Sequence, residues 1–223
     1  MKTVNWDSLH KGNDSVPAYP SELVVRWMFR SFGARDSKKY KVLDLGGGGG
    51  RHSIFMAESG IDVTMADLSV PALNCFESWA KEKGIEANSV HCSADDLPFE
   101  DDLFDGILSF GVLYYLDPDS YERSLKEIYR VLKPCGHAFI YVKSPEDSRS
   151  KSSSYLGNHQ YKLNDQGGES SWPFEEGSVL TLFPKKILLK MLTEFSSISI
   201  DRSSITRGGG ATIEDEWLVY LQK

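Results

Sequence analysis

Cysteine is scarce in this chain: Cys75, Cys92 and Cys135 share no paired spacing and form no Cys-x-x-Cys. Reduced thiols are therefore expected, not a disulfide framework. The five histidines are scattered, none at ligand spacing from a cysteine, so no metal site is expected. No run approaches the roughly 20 apolar residues of a membrane span. Residues 1–11 are polar and lack the apolar core of a signal peptide. A cytoplasmic protein without a membrane partner is the expectation. Positive charge is also in deficit, with 25 Lys and Arg against 32 Asp and Glu, for a net charge of −7. Phosphate binding needs a basic face, so no nucleic-acid partner is expected. Arg30, Arg35, Lys38, Lys39 and Lys41 make only a short cluster that reads as solvated surface.

What remains is an ordinary globular composition, 40% hydrophobic and 26% charged over 223 residues, enough for one core with a modest insertion. Residues 1–20 read as a polar arm with scattered aromatics. Pro20-Ser21-Glu22 opens an amphipathic helix to about Phe32, with Ser21 as its cap and Gly33 as its stop. From residue 40 onward, strand-like and helix-like segments alternate. Strands are expected at 40–45, 62–66, 88–92, 105–110 and 137–143. Helices are expected at 51–59, at 71–83 and from Asp117-Pro118, where Tyr121, Leu125, Ile128 and Leu132 keep helical spacing. Such alternation predicts an α/β fold: a doubly wound, mostly parallel sheet with helices on both faces. Phe183-Pro184 opens a last helix. The final strands, 197–205 and 217–221, have no helix between them and should be antiparallel neighbours.

Residues 144–180 break this rhythm. They are rich in serine, charge and glycine, with Tyr155, Tyr161, Trp172 and Phe174 interspersed. A long irregular stretch carrying aromatics is expected to be a functional lid. The organisation expected is an N-terminal cap over 1–35 and a catalytic domain over 36–223, with 144–180 inserted after strand five.

The densest chemical signal is the run from Lys41 to Gly50, where an apolar strand meets five glycines. A strand–glycine loop–helix turn lets a nucleotide approach the backbone. The dinucleotide pattern G-x-G-x-x-G/A fails in every register, because its third position falls on Arg51, His52 or Ser53. The pattern that fits is an acid, one residue, then G-x-G-x-G: Asp44, Gly46, Gly48 and Gly50. A carboxylate inside the strand end suits a cationic amino-acid ligand and would repel a pyrophosphate. Asp67 ends the next strand, where an acid accepts hydrogen bonds from ribose hydroxyls in a doubly wound fold.

With these residues in place, the segment resembles the class I S-adenosylmethionine-dependent methyltransferases, in particular their small-molecule "type 11"-like domains. Val42-Leu43-Asp44-Leu45-Gly46-x-Gly48-x-Gly50-Arg51 is similar to the family's first motif, and Ala66-Asp67-Leu68-Ser69 to its second. Residues 96–105 resemble its "LPF…FD" segment, and residues 130–136 its "RVLKPGG" stretch. The resemblance implies a Rossmann-like sheet of seven strands, the last antiparallel. It implies S-adenosylmethionine as cofactor and S-adenosylhomocysteine as product. It also implies roles: Asp44 and the backbone at Gly46 toward the methionyl part, Asp67 toward the ribose, Leu68 against the adenine. Ser93-Ala94 falls where the family often has Asp-Ala, so Asp95 is a candidate substitute for the adenine contact. Phe110-Gly111 should border the methyl group and the acceptor. Cys135 stands where glycine is usual, which reads as a tolerated turn variant.

The motifs name no catalytic base. Methyl transfer from a sulfonium is an in-line displacement that proximity alone can accelerate strongly, and a base is needed only for a nucleophile that holds its proton. Tyr114, Tyr115, Tyr155, His159 and Tyr161 are the candidates, whereas His52, His91 and His137 read as structural. Tyr19 and Arg26 are candidates to close over the cofactor, Arg26 by pairing with its carboxylate. A small-molecule acceptor is the first expectation. The alternatives are an RNA or protein methyltransferase, a different enzyme on a similar fold, and a protein that binds the cofactor without transferring its methyl group.

Overall fold

The computed structural model describes residues 5–10, 17–33, 40–86, 88–164 and 177–223. Arg35, Lys38, Lys39, Trp172 and Phe174, named above, lie outside the described residues.

Helix α2, Glu22–Phe32, forms as its pattern predicts: the Ser21 hydroxyl accepts from Leu23 N–H, Val24, Trp27, Met28 and Phe32 are buried, and Gly33 stops it at φ 72°. Strand β1, Lys41–Leu45, is buried over its last four residues. It leads through the glycine loop into α3, Arg51–Glu58, and then β2, Asp62–Asp67. Helix α4, Val70–Glu82, connects to β3, Asn88–His91. Strand β4, Phe104–Phe110, is followed by α5, Pro118–Val131, capped by the Asp117 carboxylate. Helix α5 stops one residue short of the expected Leu132, which already has extended backbone at the head of β5, Leu132–Lys143. Cys135 in this turn has φ 64°, a left-handed conformation that favours glycine. Helix α7, Lys185–Met191, and strands β9, Ser197–Arg207, and β10, Thr212–Gln222, complete the domain.

The seven strands lie in the order β3-β2-β1-β4-β5-β10-β9. β1 is parallel to β2 and β4, and β4 to β5, while β10 runs antiparallel to both β5 and β9. Because side chains alternate across a strand, Val42, Leu108, Phe139 and Leu218 face α2 and α3, whereas Leu43, Leu45, Ile107 and Ile140 face α5 and α7. Gly106 of β4 is where α2 settles on the sheet: a Cβ there would lie 2.3 Å from the Phe32 ring. Among the described residues no helix is long and apolar enough to cross a membrane.

Two stretches hold more structure than their sequences signalled. The arm contains a one-turn helix, α1, Trp6–His10. The 144–180 insertion contains α6, Ser148–Lys151, and a separate three-stranded sheet of β6, Ser153–Gly157, β7, Gln160–Leu163, and β8, Val179–Thr181. Elements of three to five residues are too short to display a period.

Candidate cofactor and acceptor site

A cavity of about 770 Å³ opens at the carboxyl ends of β1, β2 and β4, the place where open α/β sheets bind ligands. Asp44, the backbone from Gly46 to Gly49, Asp67, Leu68, Ser93, Ala94 and Phe110 all line it. The structure thus brings together eight of the ten residues singled out for cofactor binding. Gly50 and Asp95 stand outside the wall. Gly50, at φ 87°, presses on Phe76 of α4, where a Cβ would come within 2.6 Å of the ring. Asp95 accepts a hydrogen bond from the Ser93 hydroxyl and pairs with Arg123 at 2.7 Å. It therefore braces Ser93 and does not reach the cavity.

The glycine loop is shaped by its neighbours. A Cβ at Gly46 would lie 2.3 Å from Val112, and one at Gly47 2.5 Å from Met65. Gly46 N–H donates to the Ala66 carbonyl at 2.7 Å, and Gly48 N–H donates to Asp67 Oδ2 at 2.9 Å. Ser69 N–H donates to the other Asp67 oxygen at 2.8 Å. Both oxygens keep lone pairs for ligand hydroxyls.

Asp44 is 1% exposed, on the α3 face of the sheet. Ser53 Oγ donates to its Oδ2 at 2.6 Å. Burial pushes its pKa up to about 6, and the Ser53 hydrogen bond offsets only part of that. Arg51 opens α3 and also lines the cavity. Its guanidinium sits 5.7 Å from the Phe110 ring centroid, and Nη1 donates to the Tyr19 carbonyl at 3.4 Å. Burial pulls its pKa down, while the Asp44 charge acts the other way. His52 accepts Ser21 N–H on Nε2 at 3.2 Å and meets Phe110 edge-on. Burial, then Arg51, drive its pKa to about 3, so it is neutral and already used as an acceptor. Burial raises the Cys92 thiol to about 11, which removes it as a nucleophile.

Sequence reasoning passed over several wall residues. Trp6, Leu9 and His10 of α1 cover the loop, with His10 Cε1 3.4 Å from where a Gly48 Cβ would stand. Trp6 packs edge-on to Tyr115 at 4.7 Å. Val112, Leu116, Gln160 and Val179 close the far side. The Trp6-x-x-Leu9-His10 spacing inside a polar arm was the one available signal for α1. Of the candidate bases, only Tyr115 lines the cavity. Tyr155 and Tyr161 pack on each other at 5.1 Å, and His159 packs on Phe183 at 5.2 Å. Arg26 pairs with Glu22 at 2.6 Å on the outer face of α2, away from the cavity wall. His91 Nε2 lies 2.9 Å from the Leu68 carbonyl.

A sheet of this order, with an acid–glycine loop after β1 and an acid ending β2, is the arrangement that the resemblance to class I S-adenosylmethionine-dependent methyltransferase domains implies. Residues 42–136 match the family described as "Methyltransferase domain". The chain is 29% identical over 195 residues to demethylmenaquinone methyltransferase of Thermus thermophilus, covering 84% of this chain and 87% of that one. The enzyme of the same name from Clavibacter sepedonicus is 39% identical over 102 residues, 45% of this chain and 40% of the relative. In fold, the chain is similar to Burkholderia thailandensis 1,6-didemethyltoxoflavin-N1-methyltransferase, solved with 1,6-didemethyltoxoflavin and S-adenosylhomocysteine bound. That match has a TM-score of 0.64 at 22% identity, covering 91% of this chain and 77% of that one.

The residues present fit the cofactor. The cavity volume is in the range of small-molecule sites. A buried carboxylate lines the cavity, an acid with spare lone pairs ends β2, and the glycine backbone leaves room for close approach.

Proposed function

We propose that this protein transfers a methyl group to a small, ring-containing, largely apolar acceptor. The observation that carries the reading is the continuity of the cavity, which runs without a partition from the Asp44–Asp67 end to Tyr115, Leu116, Gln160 and Val179. In this reading Asp67 accepts from ribose hydroxyls, Leu68 and Ala94 flank the adenine, and Ser93 meets its edge. Leu68 is 57% exposed, as a side chain waiting for a flat partner would be. Bound S-adenosylmethionine supplies a methyl group already activated as a sulfonium.

The rest falls to the chain's own residues. Phe110 and Gly111 line the same cavity. Phe110 is stiffened by stacking on Tyr141, 4.1 Å between centroids at 4°. Trp6, Val112, Leu116 and Val179 exclude water and pack a ring, and Gln160 supplies a polar contact to orient it. Orientation and desolvation of this kind carry a displacement that has a good leaving group. Gln160 and Val179 come from β7 and β8 of the insertion, so these two strands wall the acceptor end, and α1 caps the cavity. The names of the Thermus and Clavibacter relatives, which specify a quinone precursor, favour a hydroxylated aromatic ring as acceptor.

The test is transfer of labelled methyl to a panel of hydroxy-aromatics, amines, sugars, RNA and protein. Label should enter the aromatic acceptors, and Gln160→Leu should raise their KM without changing cofactor affinity. Label entering only RNA or protein would overturn the proposal.

A further inference from the structure

A neutral imidazole carries one N–H and one lone pair, so a bond at one nitrogen fixes what the other can offer. His52 is 4% exposed and belongs to the cavity wall. Its Nε2 accepts the N–H of Ser21, the cap of α2, at 3.2 Å. No proton sits on that nitrogen, and the ring's single proton is on Nδ1. Among the described residues this N–H has no hydrogen-bond partner. A buried donor left unpaired is costly, yet this one is not sealed in protein. The polar side-chain atoms enclosed without a partner are His10 Nδ1, Ser109 Oγ and Ser178 Oγ. The His52 ring stands edge-on to Phe110, 4.9 Å between centroids. Phe110 in turn carries Arg51 over its face at 5.7 Å and stacks on Tyr141. An unused donor thus stands against the residue expected to border the transferred methyl group, in a corner that Arg51 makes electropositive.

We infer that His52 Nδ1–H binds a ring oxygen of the acceptor and holds it in its deprotonated, electron-rich form beside the methyl group. This rests on the function proposed above, and makes a histidine that reads as structural in the sequence one that recognises the substrate. In the step, the acceptor hydroxyl gives its proton to water, and an electron pair of the resulting anion forms the bond to the methyl carbon. The carbon–sulfur electron pair leaves with sulfur, so the methylated acceptor and S-adenosylhomocysteine result. His52 is unchanged throughout. Burial and Arg51 disfavour the imidazolium, so the ring stabilises the anion by a hydrogen bond without protonating it. The same donor would suit the carboxylate of the cofactor, and the experiment separates the two.

Two substitutions split the functions of the ring. His52→Gln offers an oxygen to Ser21 N–H and leaves the Nδ1 position without a donor. His52→Asn offers an N–H near the Nδ1 position and gives up the bond to Ser21. Transfer of labelled methyl to naphthohydroquinone reads kcat/KM, calorimetry reads S-adenosylhomocysteine affinity, and denaturant unfolding reads stability. In His52→Gln kcat/KM should fall about ten- to hundredfold, the range for one hydrogen bond to a charged group, and in His52→Asn by less than about threefold. Stability should run the other way, with His52→Asn the weaker fold, and both variants should bind S-adenosylhomocysteine as wild type does. A His52→Gln protein that keeps its kcat/KM while His52→Asn loses it overturns the inference, since activity would then follow the bond to Ser21. Weakened S-adenosylhomocysteine binding in His52→Gln also overturns it and moves the donor to the cofactor. Wild type that binds S-adenosylhomocysteine but methylates no hydroxy-aromatic defeats the acceptor reading itself, and the inference with it.

Discussion

Buried charge is handled in two opposite ways in this molecule. Where the insertion leaves the sheet, Lys143 lies between Asp147 and Glu216 at 3.0 and 2.5 Å, all three nearly inaccessible. Beside them Asp215 accepts from the Ser144 hydroxyl and pairs with Arg202 at 2.8 Å, while its N–H donates to Asp147 Oδ2. Every one of these acids pairs with a cation. At the glycine loop, Asp44 and Arg51 face a cavity without closing on each other. The first cluster is finished by folding and clamps the insertion to β10. The second, in the function proposed above, is completed by the cofactor. Closure within the chain marks a structural charge, and openness marks a functional one.

The sharpest way to break this contrast is to open the closed cluster. Lys143→Met leaves Asp147 and Glu216 buried without their cation and should cost about 3–5 kcal/mol, read from denaturant unfolding. A loss below about 1 kcal/mol would show that the cluster is not closed in solution. Next, Asp67→Ala removes the acid at the end of β2 and should weaken S-adenosylhomocysteine binding by at least about a hundredfold, two charged hydrogen bonds being at stake. Unchanged affinity would remove Asp67 from the ribose role.

The smallest effect has the more telling sign. Burial raises the pKa of Asp44 to about 6 in the unliganded fold. Its native form therefore holds more protons than the unfolded chain between about pH 4 and 6, and stability is lost as pH rises through that window. Asp44→Asn should then gain on the order of 1–3 kcal/mol of unliganded stability at pH 7, with the gain vanishing below about pH 4, while cofactor affinity falls. A variant that is less stable at neutral pH would place Asp44 with the closed, structural charges. Comparing variant with wild type isolates Asp44 from His52, whose lowered pKa has the opposite pH dependence.

The same contrast explains what could be read before the fold was known. The parallel sheet, its order-reversing end and the acid–glycine loop were legible because glycine spacing and strand periodicity are local. Asp44, Gly46, Gly48 and Asp67 fell on the wall because one strand end and its turn place them there. Gly50 kept its left-handed turn but serves Phe76, a contact made by a helix some 26 positions away in the chain. Arg51 closes the first motif without a role assigned to it there, and only the tertiary fold turns it inward beside Phe110. Asp95 misled for the converse reason: its partner Arg123 comes from α5. Trp6, His10, Gln160 and Val179 belong to elements too short to carry a pattern.

The central claim is that the open charges at the glycine loop are completed by the cofactor, and a calorimetric titration of S-adenosylhomocysteine from pH 5 to 8, with NAD alongside, tests it most directly. One site of micromolar affinity is predicted, strengthening as pH rises through about 6 where Asp44 ionises, with no heat from NAD. Binding of NAD in preference, or S-adenosylhomocysteine affinity that falls as Asp44 ionises, would contradict it.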